Sequence, residues 1–142
     1  MKYVLIAGAL ILIGFIVVLQ FIPIGIEPLT EMYFENHTKL PAYIFFNKTY
    51  DFAFSVRNLE YRNMSYEYSV ILEYNETRKE IDSGTFTIAN NETRTINESF
   101  VLLERADRYR MNVTLVKDNN ESIDLHFWME PVKGPGITIT PD

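Results

Sequence analysis

Eight asparagines in this chain stand two residues before a Ser or Thr: Asn36, Asn47, Asn63, Asn75, Asn91, Asn97, Asn112 and Asn120. The chemistry such a triplet supports is N-glycosylation, in which the asparagine amide nitrogen takes a sugar and the hydroxyl assists. From Glu27 onward the chain holds eleven Asn. Ser and Thr make up about 15% of that stretch, so chance predicts about two triplets there. Other chemistry is thinly supplied. His37 and His126 are the only histidines and there is no cysteine, so a zinc site would have to draw mainly on carboxylates. No Ser/His/Asp set, Gly-rich phosphate loop or carboxylate pair can be assembled, and the chain reads as a non-enzyme that needs no cofactor. Asp118-Asn119-Asn120-Glu121-Ser122 carries oxygen at the first, third and fifth positions of a calcium loop. It lacks the Gly at the sixth and the Glu at the twelfth, where Ile123 and Met129 stand, so it reads as a hairpin turn.

Charge narrows the partners. The formal net charge is −6, which argues against a nucleic-acid backbone as ligand. The charged run Glu104-Arg105-Ala106-Asp107-Arg108 is adequately explained as a solvated loop. His126 and Trp128 fall on the outward phase of the last strand and form a candidate contact. Trp128 there would pack on the tail, stack on a sugar or rest among lipid headgroups. Ile71, Val101 and Val116 also fall on outward phases and could form a small partner patch.

The elements that position these residues begin with an anchor. Residues 4–19 contain no polar side chain, and after Gln20 the apolar run resumes to Ile26. As a helix, residues 4–26 measure about 34 Å and cover a bilayer core of about 30 Å. Pro23 would kink or end the helix. The apolar stretch is longer than a signal-peptide core, and no small-x-small cleavage site follows it. Lys2 should hold the amino terminus in the cytoplasm and leave the remainder outside, the face on which glycans are added. The chain is thus expected in the cell membrane as a single-pass protein.

From Leu29 apolar and polar residues alternate with period two, and turn residues break the pattern. Phe52, Phe54 and Val56 share one face, as do Tyr66, Tyr68, Val70, Leu72 and Tyr74. Phe86 and Ile88 follow in the opposite phase to Ile81, as a β-bulge at Gly84 would give. Later strands carry Ile96, Phe100 and Leu102, then Tyr109, Met111, Val113 and Leu115, then Ile123, Leu125, Phe127 and Met129. With an opening strand near residues 29–34, the count is seven. The expected fold class is an all-β, immunoglobulin-like seven-stranded sandwich preceded by one transmembrane helix. Tyr109, two residues before Met111 at the place of the second cysteine in that fold, is expected to form its tyrosine corner. Asn97 and Asn112 fall within strands, both on the polar phase, and glycans there would shield both faces of the sandwich.

Leu29-Thr30-Glu31-Met32-Tyr33, Phe54-Ser55-Val56-Arg57-Asn58 and Tyr66-Glu67-Tyr68-Ser69-Val70 resemble pieces of the ectodomain of an archaeal membrane family, domain of unknown function 1616. The resemblance covers residues 29–130 and implies location and fold, with no activity to inherit. Members of that family usually have several spans before the ectodomain, whereas one apolar run stands here. An archaeal surface protein is the expected origin.

The resulting division is an anchor over residues 1–26, a sandwich over 27–131 and a tail over 132–142. Ile137-Thr138-Ile139-Thr140 in the tail has strong strand preference. The expected function is a structural or protein-interaction module at the cell surface, an accessory subunit of a membrane or envelope assembly. The alternatives are a secreted filament subunit completed by a neighbour's strand, and a carbohydrate- or ligand-binding module built on Trp128.

Overall fold

A computed structural model describes residues 1–21, 25 and 27–133. The apolar leader forms α1 (Lys2–Phe21). Its Tyr3–Phe21 stretch is long and apolar enough to cross a membrane, and none of it is buried against the other described residues. Leu, Ile and Phe therefore stand open around the whole helix, an arrangement that suits lipid and not water. The predicted kink at Pro23 and the strand-forming tail lie outside the described residues.

Eight strands follow: β1 (Leu29–Phe34), β2 (Tyr43–Ile44), β3 (Thr49–Leu59), β4 (Met64–Tyr74), β5 (Thr77–Ile88), β6 (Thr93–Val101), β7 (Tyr109–Lys117) and β8 (Ser122–Pro131). They form two sheets, one ordered β1-β3-β6 and the other β2-β8-β7-β4-β5. Every pair is antiparallel except β2 with β8. This is the expected immunoglobulin-like sandwich. All seven predicted strands are present. The eighth, β2, is two residues long and too short to show a period.

The alternation reads through to the core. Phe52, Phe54 and Val56 of β3 face Val70 and Leu72 of β4 and Met111, Val113 and Leu115 of β7 across the interior, all buried. Aromatic edges knit the layers: Phe34, Phe52 and Phe127 meet in T-shaped pairs with centroids 5.2–6.1 Å apart. Without a disulfide, this packing carries the fold.

One prediction is corrected. The bulge lies at Ile81 and not at Gly84: Val70 pairs with Asp82 and Ile71 with Glu80, so Ile81 is the extra residue. Gly84 keeps its register opposite Tyr68, whose ring lies over it. A Cβ at Gly84 would come within 2.9 Å of Tyr68 Cε1. The glycine is there for close approach of a ring, not for a backbone irregularity.

The strands give the sandwich two distinct ends. One holds Leu29, where the chain enters from α1, with the β3–β4, β5–β6 and β7–β8 connections. The other holds Phe34, the β4–β5 hairpin, the β6–β7 loop and the end of β8. They are called the anchor end and the far end below.

Candidate functional site

The triplet asparagines fall into three structural groups. Asn36, Asn47, Asn75, Asn91 and Asn120 all have positive φ, between 44° and 68°. Short polar side chains tolerate this left-handed backbone better than others. Thr49, Thr77, Thr93 and Ser122, two residues after four of them, each open a strand. The triplet spacing is therefore also the spacing of a turn closed by Asn and a strand opened by a β-preferring residue. Asn63 lies exposed in the loop before β4.

Asn97 and Asn112 sit within strands, on opposite sheets as expected: Asn97 on β6, Asn112 on β7. Asn97 is exposed. Asn112 is not, with 9% of its surface accessible. It lies on the outward phase, between the buried Met111 and Val113, but β7 is the middle strand of five and Ile71 and His126 flank it. Its Nδ2 donates to Thr114 Oγ1 at 3.3 Å, while its Oδ1 is buried without a partner. The expectation that period alone would expose Asn112 is thus corrected by its neighbours across the sheet.

Tyr109 forms the predicted corner. Its buried hydroxyl donates to the Glu104 carbonyl at 2.5 Å and accepts from the Ala106 amide at 2.8 Å. Part of the charged loop before β7 is thereby pinned to the core.

The anchor end is locked by a network the sequence did not reveal. Lys117 Nζ donates to Glu60 at 2.9 Å and also bonds Glu121. Thr30 Oγ1, on the first strand after α1, donates to Glu60 at 2.8 Å and lies 3.0 Å from the Tyr66 hydroxyl. The bond from Lys117 outweighs burial and holds the Glu60 carboxyl below its ordinary range. Burial pulls the Lys117 ammonium down, but its bonds to Glu121 and Glu60 leave it raised. Asn58, fully buried, donates to the Arg62 and Ile88 carbonyls and accepts from the Glu60 amide. Arg62 grips Asp118 with both guanidinium nitrogens at 2.8–2.9 Å. That grip, with the turn bond from Lys117 N to Glu121 O, bears out the hairpin reading of the Asp118 segment.

Between the two sheets, Glu98 of β6 is 6% exposed and its Oε1 has no partner. Burial, then its bond to Asp82, push its carboxyl up to about 7. Asp82 is held low by the Tyr68 hydroxyl, which donates to it at 2.6 Å. Among the described residues, no three His, Cys, Asp or Glu side chains group so as to hold a metal ion.

The far end is different in kind. On the outer face of the larger sheet, Arg78, Glu73, Arg110 and Trp128 form a row across β5, β4, β7 and β8. Glu73 pairs with Arg78 at 3.1 Å and with Arg110 at 3.6 Å. The Arg108 and Arg110 guanidinium groups lie 4.1 and 5.7 Å from the Trp128 ring centroid. His126 meets the ring edge-on, as their shared outward phase suggests. Trp128 nevertheless stays 44% exposed. Phe127, its neighbour, meets Phe34 edge-on with centroids 5.3 Å apart, so Trp128 is level with the Phe34 end of β1. Tyr43, Phe45 and Leu103 are also exposed at this end. The patch predicted from Ile71, Val101 and Val116 does not form: each is half-buried, and Val101 lies on the other sheet. His37 lies in the 3-10 turn His37–Lys39 and His126 on β8, in different elements.

No family model and no curated protein sequence matches the chain. Solved structures do. The CARDB domain of a Pyrococcus furiosus protein, in complex with di-metal ions, matches with a TM-score of 0.57 at 18% identity over 75% of this chain and 90% of that one. A β-glucosidase from Listeria innocua matches with a TM-score of 0.55 at 10% identity, over 73% of this chain and 16% of that one. The sporulation control protein Spo0M of Bacillus subtilis matches with a TM-score of 0.50 at 13% identity, over 78% and 51%. At these identities the likeness shows the fold.

Proposed function

We propose that the protein is a single-pass surface glycoprotein whose sandwich stands outside the membrane on α1 and offers its far end to a protein partner. The observation that carries this reading is the contrast between the two ends. The end that receives the chain from α1 is closed by Glu60, Lys117, Thr30 and Tyr66. The opposite end leaves Tyr43, Phe45, Leu103 and Trp128 in solvent, against Leu29 and Tyr61 at the anchor end. Exposed aromatics held on a rigid frame are the usual anchors of a protein interface. The module acts by contact and not by catalysis. Kinship with the archaeal proteins of domain of unknown function 1616 belongs to the same proposal, as does an archaeal origin.

Copurification from the protein's own membranes tests the reading. A Tyr43→Ser, Phe45→Ser double variant should lose its partner while keeping the wild-type melting temperature. Partners recovered equally by both proteins would overturn it.

One observation favours the filament alternative. β2 covers β8 only at Glu130 and Pro131, so among the described residues the outer edge of β8 over Ser122–Met129 has no strand paired to it. A strand from a second copy could add there. Amino-terminal sequencing separates the two: a leader cut after Gln20 favours the filament, an intact leader the anchored module.

A further inference from the structure

Asn75 and Trp128 line one cavity. It has a volume of about 390 Å³ and lies on the outer face of the larger sheet at its far end, with Thr77, Arg78, Arg108 and Arg110 also in its wall. Asn75 closes the β4–β5 hairpin with φ 44°, and its Nδ2, the atom a glycan would occupy, donates to the Arg105 carbonyl at 3.1 Å. β4, β7 and β8 are adjacent, so the hairpin and Trp128 are separated by roughly 10 Å, two strand spacings.

The wall has unspent capacity. Among the described residues, Arg108 makes no ion pair or hydrogen bond and has only the Trp128 ring as partner. Arg110 is already paired with Glu73 at 3.6 Å and its Nε is buried, so Arg108 is the donor left open to a ligand. An indole with exposed surface beside guanidinium N–H groups is suited to a sugar: the ring's C–H face packs on the aromatic, and its hydroxyls or carboxylates accept from arginine. No free ligand need be invoked, because a sugar acceptor already stands in the wall.

We propose that the glycan carried by Asn75 folds back into this cavity and covers Trp128, with Arg108 donating to its oxygens. The proposal rests on the glycoprotein reading above. Attachment joins Asn75 Nδ2 to the anomeric carbon of a sugar leaving a phosphate-linked lipid carrier. The carrier phosphate keeps the bonding pair, and the amide loses one of its two protons. The remaining N–H can still donate to the Arg105 carbonyl. The glycan then works as a fixed part of the far end and leaves Tyr43, Phe45 and Leu103 as the open contact surface.

Trp128 is the chain's single tryptophan, so its fluorescence reports this site alone. Acrylamide quenching is measured on protein purified from its own membranes, with peptide-resolved mass spectrometry to establish occupancy. Thr77→Ala removes only the Asn75 triplet, and Asn75→Asp removes it by a second route. Because 44% of Trp128 is open in the bare chain, covering half of that area should make both variants quench roughly two-fold more strongly than the native protein. Thr93→Ala, which removes the Asn91 triplet at the anchor end, should quench like the native protein. Equal quenching in native protein and Thr77→Ala, with Asn75 occupied, overturns the docking and leaves the glycoprotein reading standing. A bare Asn75 beside other occupied sites overturns the proposal at its site. Absence of sugar from every triplet overturns both.

Discussion

Two buried side chains show how much a single polar group decides in this sandwich. Tyr109 joins a core strand to the loop before it through bonds to Glu104 and Ala106. Tyr109→Phe keeps the ring and strands both partners, so it should cost about 1–3 kcal/mol in chemical denaturation with the fold retained. Glu98 works in the opposite direction. Its folded pKa, about 7, lies above its ordinary 4.5. The folded state therefore holds the proton more tightly, and the contribution of this group is complete below pH 4.5 and lost as the pH rises through 7. The shift corresponds to on the order of 3 kcal/mol. Glu98→Gln should raise the melting temperature at pH 8, with the gain shrinking toward pH 4.5. A gain independent of pH would show that the charge is not the cause. Tyr109 was legible because its place relative to Met111 repeats a known corner. Glu98 shares the inward phase of Ile96 and Phe100, but a period says nothing of which carboxyl across the interior will meet it.

At the level of strands and turns, hydrophobic period located every long strand because each has one face in the core. It failed where that condition fails. β2 is held by bonds to β8 and has no period. The phase slip near residue 81 was legible, but its position was not, because Gly84 offered the more familiar cause. Gly84→Ala tests the corrected account. The added methyl meets a Tyr68 ring that Asp82 holds in place, so a loss of about 1–3 kcal/mol is expected. An unchanged midpoint would mean that the ring moves freely. Asn112 carries the same lesson for the candidate sites. Alternation gave its side but not its cover, which depends on β4 and β8 lying on either hand. Peptide mapping should find Asn112 bare even where the exposed Asn97 is modified.

For the whole molecule, two independent patterns share one chain. α1 is apolar on all sides and, among the described residues, is buried against nothing, whereas the sandwich closes its own core. Removing residues 1–26 should therefore leave a soluble domain whose unfolding midpoint equals that of the full chain in detergent. A lower midpoint would reveal packing between helix and domain. The contrast between the locked anchor end and the open far end could not be read beforehand. Lys117, Glu60 and Thr30 are far apart in sequence, and only the pairing of the strands brings them together.

The side of the membrane on which the sandwich stands decides the proposed function. Mass spectrometry of the protein from its own membranes measures this most directly, since lipid-carried sugars reach such triplets on the outer face. The predicted result is an amino-terminal peptide that still contains the apolar helix, together with glycans on exposed turn asparagines such as Asn36, Asn75 and Asn91. A membrane-bound chain with its unmodified mass would contradict it.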